Sequence, residues 1–155
     1  MATPALSRQR RTRLYGPEMA RYAVRKLDDI PSIDDEGVDW KPLQHFFRLT
    51  AFGLNVYRAP EPGVPLIGDH DEAAGAHEEL YLVLEGSVAF TIDGERHECP
   101  AGTVVAIGDP SVRRAAVASS AGAAVLAVGN RAAERFESTW QPEHFEGVPT
   151  VDDPS

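Results

Sequence analysis

At 155 residues, with 43% hydrophobic and 25% charged side chains, the chain suits one globular domain and leaves little room for a second. Its formal charge of −9 speaks against general nucleic-acid affinity, and no apolar run approaches the roughly 20 residues that span a bilayer. The single cysteine, Cys99, excludes an intrachain disulfide, and the arginine-rich beginning lacks the apolar segment of a signal peptide, so a cytoplasmic setting is expected.

The charge is unevenly spread. Up to Lys26 there are seven Lys or Arg against one acid, Glu18; beyond it stand eight basic residues and 23 acids. Residues 1–18 are polar, basic and without apolar periodicity, and are read as a flexible arm preceding a single domain over 19–145, with Met19 as an alternative start. Within the domain, Tyr22 to Leu27 reads as an edge strand and Asp28 to Gly37 as an acidic loop. Trp40, Leu43, Phe46 and Phe47 read as an aromatic plug at one end of the core. Ala51 to Arg58 alternates as a strand should, Pro60, Pro62 and Pro65 turn the chain, and Leu66-Ile67 leads to His70.

Leu80 to Glu85 and Ser87 to Ile92 read as paired strands, and Asp93-Gly94 is a tight-hairpin dipeptide. Alternation puts Glu79, Tyr81 and Val83 on one face and Leu80, Leu82 and Leu84 on the other, so a carboxylate and a phenol share a pocket or its rim. Thr103 to Ile107 is a strand, Gly108 to Ser111 a turn, and Ala115 to Gly129 a hairpin turning at Ser119 to Gly122. Arg131 to Gln141 is expected to be a short helix, and 146–155 an acidic tail. Cys99, His45, His97 and His144 have no ligand or nucleophile context, and no phosphate loop, dinucleotide fingerprint or nucleophile elbow is present.

The run Glu79, Leu80 to Glu85, Gly86 and the later spacing Gly94, Pro100, Gly102 resemble the two motifs of the cupin family, over roughly residues 50 to 130. The resemblance implies an all-β jelly roll, a double-stranded β-helix barrel, here with a basic arm and a C-terminal helical extension, and a homodimer joined through edge strands. It also implies a metal site, from which this chain departs. The expected pair of histidines is represented by His70 and, across a lengthened loop, His77. Counting from Gly102 to the last histidine of the pattern reaches Arg113, with Arg114 pointing outward. Arginine offers donors only and cannot ligate a metal.

Three readings follow. The leading one is a binding protein for a small molecule, an anion among the candidates, with a degenerate metal site in which Arg113 faces Glu79, lined by Tyr81, His70 and His77, and with no metal favoured. The second is an oxygenase or isomerase holding iron, manganese or zinc through His70, His77 and Glu79. The third is a regulatory module whose basic arm touches nucleic acid, which the overall charge makes the weakest.

Overall fold

The computed structural model describes residues 21–152. The expected arm over 1–18 and the last three residues of the acidic tail lie outside the described residues. Ten strands form two antiparallel sheets. The first sheet orders β1 (Ile33–Asp35), β2 (Val38–Lys41), β3 (Gly53–Arg58), β10 (Ala124–Arg131), β5 (His77–Glu85) and β8 (Val104–Ile107) side by side. The second orders β4 (Pro65–His70), β9 (Arg114–Ala118), β6 (Ser87–Ile92) and β7 (Glu95–Pro100). Inward side chains of both sheets share one core: Tyr81, Val83, Val125 and Ala127 from the first meet Val88, Phe90, Cys99 and Ala116 from the second. Two apolar faces closed on each other are the jelly-roll arrangement that the motif spacing implied.

Several strand partners differ from the sequence reading. β5 and β6 are consecutive but not paired. β5 lies between β10 and β8, and β6 between β9 and β7, so the chain passes from one sheet to the other at Gly86. Gly86 has φ +67°, and a Cβ there would lie 2.4 Å from the Ser120 hydroxyl and 3.1 Å from Ala123 Cα. That hydroxyl accepts the Ser87 N–H, so the crossing is fixed by a hydrogen bond that needs the glycine's bare backbone. Gly86→Ala is expected to destabilise the fold by about 2–4 kcal/mol, from left-handed strain plus overpacking. Gly94→Ala, also at positive φ but with nothing within 4 Å, keeps only the strain, and urea denaturation of the two should separate the contributions.

The run 115–129 is not a hairpin either. β9 pairs with β4 and β6, and β10 with β3 and β5, because the turn at Ser119 to Gly122 again changes sheets. Asp93-Gly94 does join a tight hairpin, between β6 and β7, with both residues at positive φ. Tyr22 to Leu27 forms no strand: it has no sheet partner, and only Leu27–Asp29 curls into a 3₁₀ turn. The expected helix over 131–141 is absent, the one helical turn there being Pro142–Phe145, and Phe136 and Trp140 stay exposed. Phe136 stays almost fully exposed and Trp140 meets only the edge of the neighbouring His144 ring, so neither joins the core, and helical spacing alone did not stabilise a helix.

The aromatic cluster splits in two. Leu43 and Phe47, on the short helix α1 (Leu43–Phe47), join Ile30 in covering the outer face of the first sheet at Leu54, Val56 and Leu126. Trp40 turns inward and stacks on Tyr57, ring centroids 6.3 Å apart. Among the described residues no helix is long and apolar enough to cross a membrane.

Candidate functional site

One end of the sandwich opens into a cavity of about 580 Å³. Its walls come from the inner face of the first sheet and the end of β4, and they bring together His70, His77, Glu79 and Tyr81. Alternation along β5 places His77, Glu79 and Tyr81 on one inward face, as read from sequence. Opposite Glu79 in the β10 register sits Gly129, whose absent side chain leaves room: a Cβ there would lie 3.3 Å from Glu79 Cγ. The same walls add Asp35, Gln44, Asn55, Tyr57, Glu72 and Asn130, none singled out beforehand.

Arg113 does not face Glu79. It lies at the surface, its guanidinium 2.9 and 3.0 Å from the two carboxylate oxygens of Asp69, a bidentate pair that holds the arginine's pKa above its usual value. The residue beside Glu79 is Arg114, fully buried, with Nε 3.4 Å from Glu79 Oε2. The physical reason is strand parity. In β9 the inward residues are Arg114, Ala116 and Ala118, because Tyr81 and Phe90, with rings 5.4 Å apart, fill the barrel and leave only alanine-sized space opposite. The more apolar Val117, in phase with Arg113, points the other way.

Beneath the cavity, Glu79 and Tyr81 of its lining meet the fully buried Arg114. Tyr81 donates its phenolic proton to Glu79 Oε2, the same oxygen that meets Arg114 Nε. Burial, and then that hydrogen bond, push the Tyr81 phenol far above its ordinary range, so it remains a donor. Among the described residues none of the three Arg114 guanidinium nitrogens has a hydrogen-bond partner, an uncommon condition for a wholly buried cation. Among the described residues, Glu79 is the anion within ion-pair distance of it.

One wall is built around Glu72. Its carboxylate lies 3.0 Å from His77 Nδ1 and 3.3 Å from His70 Nε2, while His70 Nε2 stands 4.0 Å from Glu79 Oε2. Gly75 gives way to the His77 ring, since a Cβ there would sit 2.9 Å from its Cε1. Suitable donor atoms of His70, Glu72 and Glu79 lie within 4.8 Å of one another, whereas His77 is taken up by Glu72. The His70, His77, Glu79 set thus becomes His70, Glu72, Glu79 when read from geometry. Glu72 went unnoticed because it sits in the long loop that the motif pattern does not contain. The Trp40 indole donates to Asn55 Oδ1 over 2.8 Å, which engages the oxygen of an amide that lines the cavity and leaves its NH₂ as the donor end.

No family model and no curated protein matches the chain. Solved structures do. A cupin protein from Bacteroides fragilis aligns over 86% of this chain and 100% of its own, with 23% identity and TM-score 0.59. A Cupin 2 conserved barrel domain protein from Salinispora arenicola aligns over 74% and 92%, with 23% identity and TM-score 0.57. The chain has the cupin fold. A cupin-superfamily sugar phosphate isomerase from Silicibacter pomeroyi also aligns, over 62% of this chain and 60% of its own, at 24% identity and TM-score 0.52. The likeness concerns the barrel; the Arg114, Glu79 and Tyr81 group beneath the cavity is described by this chain's own residues.

Proposed function

We propose that the protein binds a small, polar, non-phosphorylated organic molecule in the mouth of the cupin barrel, with Arg114 in the electrostatic place of a metal ion. The observation that carries this reading is the full burial of Arg114 against Glu79. A fixed guanidinium compensates the carboxylate from inside, and the oxygen nearest the metal position is already engaged by Tyr81. The cavity walls suit hydrogen bonding: Gln44, Asn55 and Asn130 offer planar amides and Tyr57 an aromatic face.

Among the described residues no Lys or Arg lines the cavity, and three carboxylates do, those of Asp35, Glu72 and Glu79. The anionic ligand expected from an inward Arg113 therefore has no cation to meet. A sugar phosphate, the substrate class in the name of the Silicibacter neighbour, would set a dianion among like charges. The test is a calorimetric panel of neutral sugars and polyols beside their phosphate esters. A binder at 100 times its Kd should raise stability by about 2.7 kcal/mol. Esters that bind while their free parents do not would sink the reading.

One observation favours a second reading. His70 Nε2, Glu72 and Glu79 converge as acceptors, and they would hold a divalent ion that could act as a Lewis acid on a ligand oxygen. Elemental analysis of protein purified without a histidine tag decides: about one ion per chain, lost in Glu72→Ala, would replace the metal-free reading with this one.

A further inference from the structure

We propose that the molecule bound in the cavity carries a primary ammonium group, seated between His70 Nε2, Glu72 and Glu79. The inference deepens the metal-free reading above and rests on it. Its first support is a tautomer. His70 Nδ1 lies 2.7 Å from the carbonyl oxygen of Gly68, which can only accept, so Nδ1 is the donor and, in the neutral imidazole, Nε2 presents a lone pair. That lone pair faces Glu72 Oε1 at 3.3 Å and Glu79 Oε2 at 4.0 Å. Three acceptors thus converge, of which Glu79 Oε2 already takes the Tyr81 proton and meets Arg114 Nε, while His70 Nε2 and Glu72 Oε1 face the cavity's ligand space.

The spacing fits an ammonium. Three acceptors, each about 2.8 Å from one nitrogen and disposed tetrahedrally, are about 4.5 Å apart. The observed group, all within 4.8 Å, includes one pair at 3.3 Å and so needs small side-chain rotations to open. Both wall histidines are surface-accessible enough to rotate, at 36% and 42% side-chain exposure.

Charge then selects among cations. At the seat itself, apart from Asp35 elsewhere in the lining, Glu72 and Glu79 contribute two negative charges and Arg114 one positive, a net of one negative charge from these three groups. A monocation closes that balance, while a divalent ion overshoots it beside a buried guanidinium. An anion would meet acceptors alone. The rest of the cavity has the same polarity: Asp35 also lines it, and burial, then Glu79, then Asp35 raise the Tyr57 phenol above its ordinary range. Asn55 offers the complementary donor to a ligand oxygen elsewhere in the lining. A compact molecule with an amine at one end and hydroxyl or carbonyl oxygen at the other satisfies both.

The experiment is a titration of the full-length, ¹⁵N-labelled protein at constant pH with ethanolamine and, separately, with ethylene glycol, following the His70 and His77 ring nitrogens by NMR. The amine should give a saturable shift at His70 Nε2, and the diol should bind at least about tenfold more weakly, the scale of one charge-assisted hydrogen bond. Glu72→Gln should cost the amine about the same factor, and Arg113→Ala should leave it unchanged. Equal shifts from amine and diol would overturn the ammonium while leaving a polar-ligand cavity standing. No saturable shift from either would also overturn it, and the sugar and polyol panel decides independently whether the cavity binds anything.

Discussion

Glu79→Gln should destabilise the protein by about 3–5 kcal/mol, and adding Arg114→Met should restore most of the loss. Glutamine keeps the size of the side chain, and its carbonyl oxygen can still take the Tyr81 proton, so charge is the only thing removed. What remains is a guanidinium with no solvent exposure, no hydrogen bond and no counter-ion. An uncompensated buried charge is among the few single defects that cost several kcal/mol. Methionine fills the arginine's stem volume without the charge. Arg114→Met alone should cost much less than Glu79→Gln, because Glu79 keeps Tyr81 and borders the open cavity, where its side chain is 17% exposed. For a domain of this size a loss near 4 kcal/mol lowers Tm by roughly 10 °C. Urea or thermal denaturation of the four proteins gives the coupling directly. Single-mutant losses that simply add in the double variant would show that the two charges are not paired in solution.

The barrel was legible because its turns are written in residues that few alternatives can replace. Gly86, Asp93-Gly94 and Gly102 all sit at positive φ, and their spacing gave the jelly roll before any pairing was known. The pairings themselves were not legible. Whether a tight turn doubles a strand back on its neighbour or passes it to the opposite sheet depends on what lies across the barrel, and Gly86 and the Ser119 to Gly122 turn both do the second.

The site shows the same division. Glu79 and Tyr81 could be placed on one face from alternation alone. The inward arginine was missed by one residue, because Ala115, Ala116 and Ala118 announce no face and Val117 announces the wrong one. Only the bulk of Phe90 opposite Ala116 settles the parity. Glu72, Asp35 and Asn55 reach the cavity from three separate segments, and no local pattern links them.

Arg114→His should convert the group beneath the cavity into a divalent-metal site. In the wild type an incoming ion meets the fixed positive charge of Arg114 a few ångströms away, and at an effective dielectric constant of about 20 that repulsion amounts to several kcal/mol. The substitution removes the repulsion and leaves Glu72 and Glu79 with two uncompensated negative charges, the number a divalent ion balances. It also adds an imidazole on an inward β9 position whose register partner is His70, already turned by Gly68 to present Nε2. Two imidazoles and two carboxylates form a donor set suited to zinc, manganese or iron(II). The variant should therefore hold about one ion per chain and bind zinc or manganese at least about 100-fold more tightly than the wild type, as read by calorimetry with metal-stripped protein. Arg113→His, made at the surface beside Asp69, should gain nothing. Equal metal affinity in the wild type and Arg114→His would mean that Arg114 does not set the charge of the cavity, and would remove the basis for both the metal-free reading and the ammonium seat.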